Sequence, residues 1–154
     1  MLAPRLKTFL DGNHVPYATL QHAIAFTAQG VAAATHVHGR ELAKTVVIRV
    51  DGRFVLAVLP APGRVDLKRF RETVGADLVS LATEAEFQGL FPGCEAGAMP
   101  PFGNLYGLPV YVDQKLALDH SIVFNAGTHS EAIRMDYADF ERLVQPKVAA
   151  FARG

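Results

Sequence analysis

A mixed α+β fold, with a sheet at its centre and helices packed around it, is what this sequence predicts, and three observations carry the prediction. Half of the 154 residues are apolar, enough to bury a genuine core. Helix-like and strand-like periodicities both occur, but without the strict alternation that a doubly wound sheet requires. The pair Asp51-Gly52 stands between two apolar, β-branched runs and marks a hairpin near the middle of the chain. The length is that of one domain, and no repeat, low-complexity segment or linker interrupts it. Residues 1–154 are therefore expected to form a single unit.

Taken in order, Pro4 to Leu10 places Leu6, Phe9 and Leu10 on one face, with Gly12 as a stop, which predicts a short first helix. His14 to His22 reads as extended. Thr27 can cap a second helix through Ala28 to Val37, ending before Gly39. Thr45 to Val50 and Arg53 to Leu59 are almost continuously apolar, so both hairpin strands should be covered on both faces and sit centrally. Asp66 starts a third helix with Leu67, Phe70 and Val74 inward. Thr83-Glu84-Ala85-Glu86 matches a capping box opening a fourth, ahead of Phe87 and Leu90. A Gly- and Pro-rich loop runs from Phe91 to Pro109. Strands are predicted at Leu108 to Val112, Ser121 to Phe124 and Ala132 to Met135. A last helix from about Asp136 to Val144 buries Phe140, Leu143 and Val144 and stops before Pro146. Together these favour an α+β sheet or partial barrel.

Fifteen Lys and Arg balance fifteen Asp and Glu, for a net charge of zero. A general nucleic-acid binder would carry a basic excess, so a local basic patch is the most that charge allows. The single cysteine, Cys94, excludes an intramolecular disulfide framework and a Cys-type zinc site. Arg5 and Lys7 interrupt the first ten residues before a signal-peptide core could form. No run approaches the roughly 18 apolar residues of a membrane span. A cytoplasmic protein that does not engage a membrane is expected.

Lys44 is the first candidate for chemistry, because it opens the most apolar strand. Its stem snorkels from the strand edge, or its ammonium points into a cleft beside the sheet. The loop from Gly93 to Asn104 is the second. Its glycines allow close backbone approach and its prolines hold the turn, so it could present fixed N–H donors to a carbonyl or phosphate oxygen. A surface crossover needing Gly and Pro only for turning is the plainer reading. The third is Phe124 to Glu131, a polar turn between two strands. His129 could be a general base, a pocket wall or a turn histidine. Ser130 beside it is poor geometry for a Ser–His pair, since neighbouring strand side chains point to opposite faces. His22, His36 and His38 form the nearest histidine group, but His36 and His38 do not share a helix face and no metal-binding spacing occurs. Neither a metal nor a cofactor is expected. Nothing in sequence activates Cys94 as a nucleophile. Arg64, Lys68, Arg69 and Arg71 form a solvated face or meet RNA phosphates.

In their order these features resemble the YbaK/prolyl-tRNA-synthetase editing-domain family. Lys44-Thr45 opens the first strand of the hairpin. Gly97-Ala98-Met99-Pro100-Pro101-Phe102-Gly103 gives a Gly-x-x-x-Pro loop, and Asn125-Ala126-Gly127-Thr128-His129 gives a late polar turn. The likeness spans about His22 to Leu143. It implies a strongly curved mixed sheet, a partly open barrel surrounded by helices. It also implies trans-editing: hydrolysis of the ester of a mischarged aminoacyl-tRNA whose acceptor end is bound, with a synthetase as a further partner. On this resemblance Lys44 would hold a terminal phosphate or the ester, and Gly97 would offer its N–H to the carbonyl. Thr45, Ala98, Met99, Pro101, Asn125, Gly127 and His129 would line the substrate. Ala98 and Pro100 stand where many relatives carry Gly and Ser, and Pro100 has no N–H to donate. A small amino acid on a prolyl or related tRNA is the expected substrate, alanine ahead of serine and cysteine. The competing expectation is a non-catalytic adaptor that binds an aminoacyl group or tRNA end.

Overall fold

The computed structural model describes residues 3–21 and 41–154. The helix expected from Thr27 to Val37, and with it His22, His36 and His38, lies outside the described residues. Helix α1 (Pro4–Gly12) begins with Pro4 at its first position, where a missing N–H removes nothing. Strand β1 (Tyr17–Gln21) follows. The predicted hairpin is β2 (Ala43–Val50) and β3 (Arg53–Pro60), paired antiparallel from Ala43–Pro60 to Val50–Arg53. Asp51 and Gly52 both take positive φ, 48° and 85°, as a two-residue turn matching strand twist demands.

A two-residue strand β4 (Arg64–Val65) leads into α2 (Leu67–Val74), whose N-cap Asp66 accepts from the Arg69 N–H. Strand β5 (Val79–Leu81) adds to β2, and α3 (Glu84–Phe87) carries the predicted capping box between Thr83 and Glu86. That helix is a single turn, and Leu90 lies beyond it. A 3₁₀ turn at Gly103–Leu105 sits within the long loop. Then come β6 (Val110–Asp113), α4 (Gln114–Ala117), β7 (Ser121–Asn125), β8 (Glu131–Asp136) and α5 (Tyr137–Val144). Two short strands, β9 (Lys147–Ala149) and β10 (Ala152–Arg153), follow Pro146.

Among the described residues the strands form three sheets: β5-β2-β3-β6-β9, β1-β8-β7 and β10-β4. The five-stranded sheet is mixed, since β6 runs parallel to β3 and β9 parallel to β6. No closed barrel is present among them. A parallel bridge from Leu42 to Val123 joins the start of β2 to β7, so the two larger sheets meet there.

The hairpin strands are central and covered on both faces, as their unbroken apolar runs require. On one face Val47, Leu56 and Val112 pack with Leu6 and Leu10 of α1, Phe124 of β7 and Phe140 of α5. On the other, Ile48, Ala57 and Leu59 pack with Phe70 of α2 and with Phe151. Phe70 meets Phe151 edge-on at 5.2 Å. Among the described residues no helix is long and apolar enough to cross a membrane.

Candidate active site

The long loop is anchored, not a loose crossover. Phe102 is fully buried, 6.1 Å from the ring of Phe9, 5.5 Å from Phe124 and 5.4 Å from Phe140. Ala98, Met99, Pro100 and Pro101 are buried with it, whereas Glu95, Ala96 and Gly97 are exposed at the tip. The loop is therefore a rigid base carrying a short accessible ridge.

That ridge is clasped to the turn between β7 and β8. Glu95 N–H donates to the Gly127 carbonyl at 2.7 Å, and Gly127 N–H donates to the Ala98 carbonyl at 2.9 Å. The Glu95 carboxylate accepts from the His129 N–H at 2.8 Å. The His129 ring Nε2 lies 2.8 Å from the Ala96 carbonyl oxygen. A carbonyl only accepts, so Nε2 carries the proton and donates. His129 is buried and holds the ridge in place; in this arrangement its Nε2 is not a base.

Two glycines make the clasp possible. Gly127 has φ of 104°, and a Cβ there would fall 2.9 Å from the Cβ of Ala3. Gly97 has φ of 82°, with the His129 ring 3.5 Å from where a Cβ would stand. At Gly127 both the left-handed backbone and the close neighbour resist a side chain, whereas at Gly97 the left-handed backbone alone does so, the His129 ring being at ordinary contact distance.

The Gly97 N–H, the expected carbonyl donor, points at the Met99 sulfur at 3.1 Å. A thioether is a weak acceptor, so a carbonyl or oxyanion oxygen competes well for that N–H. The Ala98 N–H is used within the loop, donating to Glu95 O at 3.0 Å.

Lys44 approaches this assembly through β7. A parallel bridge pairs Leu42, two residues before Lys44, with Val123, two residues before Asn125. Strand alternation puts Lys44 on the same face of β2 as Ile48, and Thr45 on the opposite face with Val47. The loop and the turn are brought together directly by hydrogen bonds, whereas the Lys44 strand is connected to them only by the bridge from Leu42 to the strand leading into the turn. The Asn125 Oδ1 is buried with no hydrogen-bond partner among the described residues. Lys44 is half-buried and makes no ion pair among the described residues. Burial pushes its ammonium pKa down, and repulsion from Arg64 adds to the shift.

Residues outside the expected set also belong here. Glu95 closes the clasp, and the buried Glu131 lies 3.4 Å from the Thr128 hydroxyl. An acidic residue in the Gly-rich loop was the only available signal for Glu95. Cys94 is half-buried beside the Tyr106 hydroxyl at 3.3 Å, and burial pushes its thiol pKa up, away from nucleophilic use. Lys68, Arg69 and Arg71 lie on the exposed face of α2, with Arg69 3.8 Å from Asp66.

The model of the aminoacyl-tRNA editing domain matches residues 22–143. The multifunctional Ser/Thr-tRNA deacylase ProXp-y of Escherichia coli is 35% identical over 116 residues, covering 72% of this chain and 69% of that protein. A proline–tRNA ligase of Bacillus cytotoxicus is 29% identical over 87 residues, 56% of this chain and 15% of the ligase. Among solved structures, a candidate trans-editing enzyme for prolyl tRNA synthetase superposes with a TM-score of 0.83 at 25% identity, covering 99% of this chain and 97% of that one. The matched stretch contains the Lys44 strand, the Gly97 loop and the His129 turn, and this chain belongs to the aminoacyl-tRNA editing domain family.

Proposed function

We propose that residues 1–154 form one editing unit that removes a small amino acid from a mischarged prolyl or related tRNA in trans, working in the cytoplasm. Family membership supports the reaction class, hydrolysis of the ester of an aminoacyl-tRNA. One observation carries the mechanism: the Gly97–Pro101 loop is clasped to the Asn125–His129 turn on the strand that is bridged to the start of the Lys44 strand. The meeting of the two larger sheets at that bridge supports the curved, partly open barrel as the frame.

An aminoacyl ester is already activated, and the neighbouring ribose hydroxyl can position the attacking water. The protein then needs to orient the ester and stabilise the oxyanion. Gly97 N–H, released by its weak thioether acceptor, donates to that oxygen. Lys44 holds the terminal phosphate or the ester. One such donor is worth roughly 2.7–4 kcal/mol in the transition state. Ala98, Met99, Pro101, Asn125, Gly127 and His129 shape the surroundings of the amino acid, His129 by fixing the ridge, while Thr45 turns to the other face of β2 from Lys44. Binding of the acceptor end, and the help of a synthetase, belong to the same proposal.

A second reading has one observation in its favour. With Gly97 N–H turned onto Met99, the site would bind an aminoacyl group without hydrolysing it. A panel of alanyl-, seryl-, threonyl- and cysteinyl-tRNAs separates the two. Turnover of one or two esters supports editing, whereas saturable binding without turnover supports the adaptor. His129→Ala should change the order of preference within the panel, and an unaltered order would remove it from the pocket.

A further inference from the structure

A pair of arginines lies on the ribbon formed by β4 and β10. There Arg64 and Arg153 are direct cross-strand partners. Like charges directly opposite are unfavourable in a sheet pair, and neither arginine makes an ion pair among the described residues. Both are exposed. Beside them opens a cavity of about 460 Å³, lined by Pro60, Pro62, Leu118, Ala152 and Arg153, with Lys115 and Asp119 in its wall. Its size is in the range of pockets that hold small molecules. Its walls are largely apolar and its cations are Lys115 and Arg153. Leu118 is 86% exposed, an apolar side chain left in water at the cavity wall.

The ribbon is built rather than incidental. Asp113 is 1% exposed, and its Oδ1 accepts the N–H groups of Phe151 at 2.9 Å and Ala152 at 2.8 Å. Its Oδ2 accepts the Lys115 N–H at 3.0 Å. One buried carboxylate therefore fixes the segment bearing Arg153 and the residue Lys115. The cavity wall continues toward Lys44, because Pro60 pairs with Ala43 and Leu59 with Lys44. Arg64 is near enough to Lys44 to repel its charge.

We propose that this ribbon and cavity bind the single-stranded 3′ portion of the RNA whose ester is cleaved. Backbone phosphates lie on Arg64, Arg153 and Lys115, and one nucleotide rests against Leu118 and the prolines. This rests on the editing reading and adds to it the path of the RNA strand. Phosphate contacts of this kind position a strand without reading its sequence, and a base on an apolar wall is held regardless of identity. A local group of three cations allows RNA binding by a chain of zero net charge.

The test measures binding of a deacylated acceptor-stem hairpin with a single-stranded 3′ end, across a salt series, and deacylation by the same proteins. Arg64→Glu with Arg153→Glu should weaken binding about ten-fold or more and flatten the salt dependence by roughly one to two units. Arg64→Gln with Arg153→Gln, which adds no new charge, should weaken it in the same direction. Leu118→Asp, at an exposed position, should weaken the overhanging hairpin but not a blunt one. Binding within two-fold of the parent in both arginine pairs, with an unchanged salt slope, overturns the proposal. If the parent still deacylates tRNA in that case, the editing reading survives. If binding depends on the arginines but no ester is hydrolysed, the surface stands and the editing reading fails.

Discussion

The clasp and the cationic face differ in how far folding alone completes them. In the clasp, the Glu95, Gly127 and His129 backbone N–H groups and the His129 Nε2 are all engaged by named acceptors. Lys44, Arg64 and Arg153 have no ion-pair partner among the described residues, and two of them face each other across a strand pair. Satisfied buried groups fix a geometry, while assembled like charges leave free energy that an anion recovers. The first half is shaped by folding and the second by what binds. Local rules are kept in one and broken in the other, which is where function is expected.

The largest expected effect breaks the clasp at its base. Phe102→Ala should lower unfolding free energy by about 3–5 kcal/mol, read from denaturant midpoints, because its ring packs the loop against Phe9, Phe124 and Phe140. A loss under about 1 kcal/mol would mean the loop is held by Phe91, Met99 and its hydrogen bonds without need of that ring.

Asp113→Ala is next. It leaves the buried N–H groups of Phe151 and Ala152 without their acceptor, and hydrogen bonds to a charged group are worth about 1.5–3 kcal/mol each. Stability should fall by about 3 kcal/mol, with the β10 amides losing protection in hydrogen exchange before the β2–β3 amides. Uniform loss across both would show that the ribbon is not a separately fixed element.

The smallest effect is in pH. Because burial and Arg64 depress the Lys44 pKa, its cationic form is lost at lower pH than an ordinary lysine's. Deacylation that needs the ammonium should fall as pH rises through that depressed value, after subtraction of uncatalysed ester hydrolysis. Arg64→Gln removes one cause, so the alkaline limb of kcat/KM should move to higher pH. A limb that stays in place would separate Arg64 from Lys44. The same depression makes charged Lys44 unfavourable to folding at low pH, an effect relieved as pH rises past its folded-state value.

Much of the frame was legible because its signals are local. Asp51-Gly52, the Asp66 cap and the Thr83–Glu86 box each act within a few residues, and each appears where expected. The predicted strand from Leu108 begins instead at Val110, after Pro109, which has no N–H for the ladder. β4, β5, β9 and β10 are two or three residues long, and their strand character comes from partners far along the chain. Pro146 ended the predicted elements, but a proline placed just before an edge strand does not prevent it. The loop from Phe91 to Pro109 was rich in turn residues, which masked Phe102 as a core residue. In the candidate site, the loop drew notice by its Gly and Pro content and the turn by its polar residues between two strands. Glu95 was not, because its partner His129 is 34 positions away. Asp113 reaches 39 positions to Ala152, and no spacing rule connects them.

The most direct measurement is single-turnover hydrolysis, under saturating enzyme, of whichever mischarged tRNA the protein cleaves fastest, comparing it with Lys44→Ala. The rate in the variant should be about 10²–10³-fold lower, with an unchanged unfolding midpoint or a slightly raised one. Equal rates in the two folded proteins would remove Lys44 from the reaction and contradict the account.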